Sequence, residues 1–299
     1  MRKIQVLVDS CADLSGELLK KYDIDYCRMN TVRDGKETPA SLLWEYYSPK
    51  ELYDVIRAGE RVTTTQVPTE DFNTVFTKYL DAGCDIIYIA CSSKQSGSVN
   101  TAQVVAKKLL EGYPDAHIYC VDSWNASIGI GMLAMKASEL VKEGMAAEEI
   151  VSTVEGLRNK VNQYVTPQTL EYMRRCGRVK ASTAFFGNLM GVKPVLISDA
   201  EGVQTAVKKA KGRMNSFKEI VSMLKETIEN PEEQTVYVAH ADCAPEELEA
   251  VLSMVKAEIP CRDIVTVYIG PIIGASVGPD TVGVWAYGKE VTYRAGDAK

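Results

Sequence analysis

A regular alternation of strand and helix patterns in the first half of the chain restricts the fold most. Apolar runs of strand length lie at residues 4–8, 24–28, 86–90 and 117–121. Apolar residues recur at helical spacing at 71–82, 99–112 and 128–143, so helices are predicted between and after these strands. Because strands that alternate with helices form βαβ units, the sequence predicts an α/β protein with a doubly wound parallel sheet.

The second half of the chain has a different pattern. Its predicted elements are an antiparallel hairpin at 193–211, helices at 216–229 and 245–258, and strands at 236–240 and 264–269. Thr166 and Pro167 are expected to open a further helix that stops at Gly177. We therefore predict two domains: an N-terminal α/β domain, residues 1–160, and a C-terminal α/β domain with a mixed sheet, residues 161–299.

The composition excludes several functional classes. A net charge of -6 and a pI near 5.2 leave no dense basic surface for nucleic acid. The eight cysteines form no Cys-x-x-Cys pair, and only two histidines, His117 and His240, are present, so no metal site is predicted. This cysteine pattern is typical of free thiols in a reducing compartment, and the N-terminus lacks the pattern of a secretion signal, so we expect a cytoplasmic location.

Two short hydroxyl-rich segments, residues 63–69 and 92–98, each precede a predicted helix. The first N–H groups of a helix lack backbone partners and carry the positive end of the helix dipole. Ser and Thr hydroxyls placed there complete a site for carboxylate or phosphate. In a parallel sheet such a site lies at the carboxyl ends of the strands. The donors expected at this anion site are Thr64, Thr65, Ser92, Ser93, Ser96 and Gly97.

Other polar groups at the strand ends leave further interpretations open. Asp9 and Asp122 either brace neighbouring turns or act as a general base in an enzyme that binds a small anion. Cys91 is a nucleophile only if a base lies beside it, and since neither histidine is obviously placed there we interpret it as a core thiol. The 92–98 segment by itself is also explained as a helix cap. A regulator that senses a ligand through domain movement is a third class of function.

A set of short segments runs along the whole chain in a fixed order. The segments are Asp9-Ser10-Cys11-Ala12-Asp13-Leu14, the 63–69 and 92–98 segments, 170–178, Gly191-Val192-Lys193-Pro194-Val195-Leu196 and Gly270-Pro271-Ile272-Ile273-Gly274. Together, from the first strand to the last hairpin, they resemble the DegV family of bacterial fatty-acid-binding proteins. The order of the segments carries the resemblance, because no single one of them is specific.

The resemblance implies a two-domain protein that buries one long-chain fatty acid between its domains. The carboxylate would be held by the Thr and Ser segments together with Ser276, and the acyl chain would fill an apolar tunnel. The resemblance also implies that the protein is not itself an enzyme and needs no cofactor. Instead it would present the fatty acid to a separate fatty acid kinase, which forms an acyl phosphate for phospholipid metabolism, and transient contact with a membrane is compatible with this role.

An apolar lining for this tunnel is expected from two parts of the chain. Residues 183–192 mix small, aromatic and flexible apolar side chains, and residues 128–135 would face them. A tail of about 16 carbons gains roughly 0.8 kcal/mol per buried methylene, so tail burial would dominate the affinity. The expected lining residues are Ile128, Phe185, Phe186, Leu189, Met190 and Ile273. Without the resemblance, such helix residues are more typical of ordinary core.

The chain departs from the family pattern in two places. Ser276 stands where many members have a histidine, and Asp280 stands where they have a glycine. Serine keeps a hydroxyl donor but is shorter and carries no charge, so we expect a water bridge to the carboxylate. Asp280 adds a negative charge near the anion site. The threonine segment reads Thr-Thr-Gln-Val-Pro in place of Thr-Ser-Gln-Pro.

Basic side chains form local clusters in this acidic chain, one of Arg174, Arg175 and Arg178 and one of Lys208, Lys209, Lys211 and Arg213. Arg174, Lys208, Lys211 and Arg213 are candidates to dock the kinase, or to attract its nucleotide phosphates, by electrostatic complementarity. The alternative is that they form a solvated surface.

Overall fold

The computed structural model describes residues 2–181, 185 and 191–295. The elements up to residue 142 are β1 (Lys3–Asp9), α1 (Gly16–Tyr22), β2 (Ile24–Cys27), β3 (Asn30–Arg33), β4 (Lys36–Pro39), α2 (Pro49–Arg57), β5 (Thr63–Thr65), α3 (Thr69–Asp81), β6 (Cys84–Ala90), α4 (Ser98–Leu109), β7 (Ile118–Asp122) and α5 (Ile128–Lys142). The remaining elements are α6 (Ala147–Leu157), β8 (Val161–Thr166), α7 (Glu171–Cys176), β9 (Val192–Ser198), β10 (Gln204–Lys211), α8 (Arg213–Thr227), β11 (Thr235–His240), α9 (Pro245–Glu258), β12 (Asp263–Tyr268), α10 (Pro271–Val277) and β13 (Val282–Tyr287). Within the described ranges, no helix has both the length and the apolar character needed to cross a membrane.

Four strands form a parallel sheet in the order β2-β1-β6-β7. The central strands are apolar, and Val6, Leu7, Ile86 and Ile87 are at most 2% exposed, as expected for strands covered on both faces. Helices α3 and α4 pack together, while α5 packs against α1 and α6. The predicted α/β fold with a doubly wound parallel sheet is confirmed. Because β1 and β6 are parallel neighbours, their carboxyl ends lie at one edge of the sheet.

A three-stranded antiparallel sheet in the order β4-β3-β5 contains the threonine segment. The strand at Thr63–Thr65 was not predicted, because its partner β3 lies far away in the sequence and no local pattern reveals the pairing. The tight turn between β3 and β4 is formed by Asp34 and Gly35, whose φ angles of 51° and 74° are both positive. This small sheet fixes the threonines as strand residues rather than as a loop.

Six strands form a mixed sheet in the order β10-β9-β8-β13-β11-β12, in which only β11 and β12 are parallel. The predicted β9–β10 hairpin and the mixed sheet are confirmed. In the hairpin turn, Asp199 Oδ1 accepts hydrogen bonds from the N–H groups of Glu201 and Val203. Gly202 takes the positive φ of 80° that the turn requires.

One expectation for the second half was wrong, and one helix was missed. Thr166 ends the central strand β8 instead of opening a helix, and α7 begins only at Glu171. Pro167 explains the difference, because the residue before a proline is disfavoured in the helical conformation and stays extended. Helix α10 was not predicted, since its short apolar sequence around Gly274 has no amphipathic period. Its one local helix signal is Pro271, which lies in the first turn, where proline is tolerated.

The mixed sheet separates two apolar cores. On β8, Tyr164 packs in the core that contains Phe217 of α8, whereas its neighbour Val165 packs in the larger core shared with the parallel sheet. This alternation follows from the two-residue period of a strand. The larger core runs across residue 160, because Val161 and Val6 belong to the same cluster. The division into domains 1–160 and 161–299 stays a prediction.

Candidate ligand-binding cavity

One cavity, which we call the central cavity, lies between the carboxyl ends of β1 and β6 and one face of the mixed sheet. Cys11 and Cys91 line it from the parallel sheet, and Val165, Leu196 and Trp285 line it from the mixed sheet. Its volume of about 150 Å³ is about ten times what one water molecule needs, so an organic ligand can enter it.

The partly exposed end of the central cavity, which we call the mouth, is polar. It is lined by Thr64, Thr65, Gln95, Ser96, Gly97 and Arg178. Five of these residues are hydroxyl, amide or backbone donors, and the sixth supplies a positive charge. Four of the six anion-site residues expected from the sequence are therefore brought together here.

Strand β5 and the start of α4 hold the mouth together. Thr64 is paired with Thr31 of β3. From the other segment, Ser98 Oγ accepts a hydrogen bond of 3.2 Å from the Val67 N–H, and Ser96 Oγ lies 2.9 Å from Ser98 Oγ. The two hydroxyl segments are thus joined directly by the hydrogen bond from Val67 to Ser98, beside the positive end of the α4 dipole.

The other two expected donors, Ser92 and Ser93, are not among the residues that line the cavity. Ser92 is fully buried, and its hydroxyl donates to the Gly202 carbonyl at 2.8 Å. The Ser93 N–H donates to Asp122 Oδ1 at 3.1 Å. Ser92 therefore joins the end of β6 to the β9–β10 turn, and Ser93 joins it to the end of β7.

Helix α10 and the residue after α7 add further groups to the cavity. Ser276 and Ile273 of α10 line it, and the Ser276 hydroxyl donates to the Ile272 carbonyl at 3.3 Å. Arg178 is exposed at the mouth, and its Nε donates to the Gln95 carbonyl at 3.2 Å. Sequence reasoning grouped Arg178 with the surface cations. Gly177, which the sequence analysis identified only as the end of a helix, ends α7 with a φ of 70° and turns the chain toward the cavity.

Asp9 lies buried at the end of β1, outside the cavity lining. Its carboxylate accepts hydrogen bonds from the N–H groups of Cys11 and Cys91 at 3.0 and 2.8 Å and from the Tyr88 hydroxyl at 3.0 Å. Burial raises the pKa of Asp9, against the opposing effect of these donors. The geometry matches the bracing interpretation of this aspartate, because it fixes the two loops that carry the cavity cysteines.

Asp13 is a second buried carboxyl group beside the cavity. It accepts a hydrogen bond of 2.5 Å from the Ser127 hydroxyl and one of 2.8 Å from the Gly270 N–H. Burial raises the pKa of Asp13 to about 7. Ser127 lines the cavity and Gly270 precedes α10, so Asp13 connects two of its walls.

The cavity thiols Cys11 and Cys91 are both 2% exposed. Contact with Cys91 and burial hold the pKa of the Cys11 thiol well above its usual range. The hydrogen bond with Cys11 lowers the pKa of the Cys91 thiol, but burial and the nearby carboxylates, Asp9 first among them, together raise this pKa above its usual value. Neutral thiols are poor nucleophiles, which favours the core-thiol interpretation of Cys91. Over the described part of the chain, no group of three His, Cys, Asp or Glu side chains is arranged to hold a metal.

The negative charge of Asp280 is paired and does not line the cavity. Its Oδ1 accepts a hydrogen bond of 2.7 Å from Arg57, which also binds Asp242 Oδ2 at 2.7 Å. Arg57 ends α2, whereas both aspartates lie in loops beside the mixed sheet. The departure at position 280 therefore supplies a contact between the two halves of the chain rather than a charge facing the anion site.

The four candidate docking cations have different environments. Arg174 makes two hydrogen bonds of 2.8 Å with Glu171, and Lys208 pairs with Glu219 at 2.6 Å. Arg213 is largely buried, where it binds Glu247 at 3.1 Å and donates to the Thr166 and Asp280 carbonyls. Lys211 is exposed. Arg213 is thus a buried structural residue, while the side chains of the other three cations are exposed at the surface.

The expected tunnel residues are only partly described. Ile128 is fully buried at the start of α5 and does not line the cavity, whereas the preceding Ala126 and Ser127 do. Phe185 packs against the larger core, with its ring centroid 4.9 Å from Lys209 Nζ. Phe186, Leu189 and Met190 lie outside the described residues. Sequence reasoning missed a set of lining residues that come from separate strands and loops: Met29, Gln163, Val165, Leu196, Gln204 and Trp285.

This α/β protein is therefore built around a ligand-sized cavity between a parallel sheet and a mixed sheet, lined by both polar and apolar side chains. The family profile described as an uncharacterised protein of the DegV family matches residues 3–289. A DegV domain-containing protein of Clostridium perfringens is 36% identical over 288 residues, which cover 96% of this chain and 98% of that protein. The chain belongs to the DegV family.

Solved structures of related proteins share the whole fold. A DegV family protein from Thermus thermophilus, described by its fatty acid binding, matches with a TM-score of 0.86 at 27% identity, covering 97% of this chain and 100% of its own. A DegV lipid-binding protein from Thermotoga maritima matches with a TM-score of 0.82 at 27% identity and the same coverage. A hypothetical protein from Thermotoga maritima, described as revealing a fatty acid binding function, has a TM-score of 0.82 at 26% identity, again with the same coverage.

Proposed function

We propose that this protein binds one long-chain fatty acid in the central cavity, as its relatives from Thermus thermophilus and Thermotoga maritima are described to bind fatty acid. The observation that carries the proposal is the polarity gradient of the cavity. Its mouth offers hydroxyl and backbone donors and one cation, and its interior is mainly apolar, with Met29, Val165, Leu196 and Ile269. A molecule with an acidic head and a long apolar tail fits this gradient.

The carboxylate is held at the mouth. Among the described residues that line the cavity, Arg178 is the only cationic side chain, and Thr64, Thr65, Ser96 and Gly97 surround the same opening. A carboxylate that leaves water needs several donors or a cation, because an unpaired charge in an apolar site is very costly. Ser276 supplies a hydroxyl on the α10 side, where a water completes its reach to the head group.

The acyl chain extends from the mouth into the buried part of the cavity. Each buried methylene contributes roughly 0.8 kcal/mol, so a tail of about 16 carbons outweighs the head group in gross binding energy. Ordering the tail and the loss of translational freedom reduce this gain. Affinity therefore comes mainly from the tail, and orientation comes from the mouth.

Identification of the co-purified ligand tests the proposal. Native mass spectrometry of gently purified protein is expected to show a mass increment that matches a C14 to C18 acid. Thr64→Val is expected to lower the fatty acid affinity about tenfold by removing one hydrogen bond to a charged group. Thr63→Val is the matched control, because Thr63 belongs to the same strand but not to the central cavity lining. An empty protein that binds no added acid contradicts the proposal.

A role in presenting the fatty acid to a separate fatty acid kinase is part of the proposal, with a cytoplasmic location. The exposure of the mouth supports it, since a carboxylate at an opening is accessible to a second protein. Arg174, Lys208 and Lys211 supply positive charge at the surface. Charge reversal at Lys208 and Lys211 is expected to slow association with the kinase and to reduce its salt dependence. An unchanged on-rate excludes docking at these lysines.

The enzyme alternative receives less support. Asp9 accepts three hydrogen bonds and Asp122 accepts two from backbone N–H groups, and neither carboxylate lines the cavity. A general base must reach the proton that it removes. Turnover of small acids by a ligand-free preparation is the observation that would restore this alternative.

A further inference from the structure

The two edges of the mixed sheet are protected to different degrees. Strand β10, at one edge, carries Lys208, Lys209 and Lys211, and a bulge interrupts its pairing with β9. Its outer side is also partly paired, because Lys180 forms a backbone bridge with Thr205. Lysines, bulges and covered backbone groups prevent the edge of a sheet from pairing with another chain.

Strand β12, at the other edge, has none of these features. It contains no lysine, arginine or proline, and it pairs with β11 over all six of its residues without a bulge. Across residues 2–181, 185 and 191–295, no strand or bridge pairs with the outer side of β12. Four of its residues are Ile, Val or Thr, whose branched side chains favour pairing in a sheet. The edge at β12 is therefore open to another strand.

Alternate residues of β12 direct their backbone groups away from the sheet. The N–H group of Ile269, directly after the strand, donates to the His240 carbonyl of β11 at 2.8 Å. Because the backbone of a strand alternates with a period of two residues, Ile264, Thr266 and Tyr268 present their N–H and C=O groups on the outer side. Thr266 and Tyr268 are exposed, so a second strand can reach these groups.

The sequence of β12 is complementary to itself in one antiparallel register. When Thr266 lies opposite Thr266 of a second copy, Ile264 of each copy lies opposite Tyr268 of the other. These are the three positions whose backbone groups face outward, so the two strands exchange all of these N–H and C=O groups. On the other face, Val265 lies opposite Val267. Thr–Thr and aromatic–β-branched pairs are favourable across strands, and this register opposes no like charges within the strand.

We propose that two copies of this protein associate through their β12 strands, which pair antiparallel about a twofold axis at Thr266 and join the two mixed sheets into one. A twofold axis requires that the same surface meets itself, and this register meets that condition. Apolar surface beside the strand adds to the contact, because Leu43 and Tyr268 are 50% and 43% exposed and line a groove along its C-terminal half. No residue of β12 lines the central cavity, so this association is independent of the proposed binding of fatty acid.

Sedimentation velocity of the full chain tests the association. A species with twice the mass of one chain is expected, and its share should rise with concentration up to about 100 µM. Thr266→Lys sets two like charges opposite each other and is expected to weaken the dimer at least about tenfold. Thr266→Val keeps the branched shape and is the matched control, which should still form the dimer. Urea denaturation checks that both variants remain folded, as expected for an exposed side chain.

A disulfide cross-link tests the register. Thr266→Cys places two thiols on directly opposed residues, whose Cα atoms are about 5.5 Å apart in a hydrogen-bonded antiparallel pair, within the range of a disulfide. Oxidised glutathione is expected to produce a covalent dimer of this variant on a non-reducing gel. Lys211→Cys is the matched control, because Lys211 is exposed on the protected edge strand β10, and it should stay a single chain. Both variants keep the eight native cysteines, so any cross-linking through those is the same in the two.

Each result supports or overturns the proposal. A wild-type chain that stays a monomer over the whole concentration range contradicts it, and so does a dimer that Thr266→Lys leaves intact. Should Thr266→Lys fail to fold, the cross-link decides: a covalent dimer of Thr266→Cys that Lys211→Cys does not form supports the pairing. Equal cross-linking of the two cysteine variants would place the contact elsewhere on the molecule and overturn the proposal.

Discussion

The mouth and the buried end of the central cavity both contain polar groups, but they hold them differently. At the mouth, Thr64 and Ser96 belong to a short edge strand and a helix start, and Arg178 extends from an exposed turn. At the buried end, Gln163 and Trp285 are fixed by strand pairing. The polar groups at the mouth are therefore partly exposed, while those at the buried end are held by backbone pairing in the interior.

The supports of these two ends differ as well. The buried end is braced by carboxyl groups that are themselves buried, Asp9 behind the cysteine loops and Asp13 between Ser127 and Gly270. The mouth is braced by hydroxyl–backbone hydrogen bonds such as that of Ser98. Changes behind the buried end should therefore act mainly on stability, and changes at the mouth mainly on affinity.

Asp9→Ala should have the largest effect on stability. It leaves three buried donors without an acceptor, which is expected to lower the free energy of unfolding by about 3 to 5 kcal/mol. Urea denaturation measures this change. Asp122→Ala is the control, because that carboxylate accepts only two longer hydrogen bonds, and it should cost much less. Equal losses would show that Asp9 is not a special brace.

Arg178→Ala should have the largest effect on affinity. Loss of a charged hydrogen bond to the carboxylate is expected to weaken fatty acid binding about 10- to 100-fold, with little change in the free energy of unfolding. Arg174→Ala is matched to it, since Arg174 lies on the neighbouring helix, pairs with Glu171 and does not line the cavity. Calorimetric titration with palmitic acid measures the affinity of both variants. A similar loss of affinity in the two variants would show that Arg178 does not bind the carboxylate.

Asp13 should make stability depend on pH. Its pKa is raised to about 7 by burial, whereas an unfolded aspartate titrates at about 3.9. Between these two pKa values the folded chain keeps the Asp13 proton while the unfolded chain loses it. The contribution of this proton to the free energy of unfolding is complete below about pH 4. It is lost as the pH rises to about 7, by at most about 1.4 kcal/mol per pH unit. Asp13→Asn cannot titrate, so its unfolding free energy should lack this fall. An equally steep fall in both proteins would contradict the assignment to Asp13.

Two serine variants are expected to have the smallest effects, one on stability and the other on affinity. Ser92→Ala removes a buried hydroxyl that donates to Gly202 and is expected to cost about 1 kcal/mol of unfolding free energy without changing affinity. Ser96→Ala should do the reverse, weakening fatty acid binding several-fold while the melting temperature stays within a few degrees. Thermal melting and fatty acid titration of the same two preparations show which serine stabilises the fold and which binds the ligand. An affinity loss in Ser92→Ala would return that residue to the anion site.

Sequence reasoning was strongest where the signal is local. The parallel strands, the helices that cover them and the β9–β10 hairpin follow from apolar period and turn residues, and they are confirmed. The hydroxyl segments were recognised because Ser and Thr before a helix have a physical meaning in themselves. The pairing of β5 with β3 and the strand at Val161–Thr166 were missed, since each depends on a partner distant in the sequence.

The sequence by itself determined an α/β chain of the DegV family with two hydroxyl-rich segments that precede helices, because helix and strand periods and capping residues act over a few positions. Only the tertiary structure decided that Ser92 serves the fold, that Arg178 stands at the mouth, and that β12 forms an edge of the mixed sheet. These outcomes depend on which side chains meet across strands and loops far apart in the chain. The free energy that a buried polar group contributes depends on whether such a partner satisfies its hydrogen bonds.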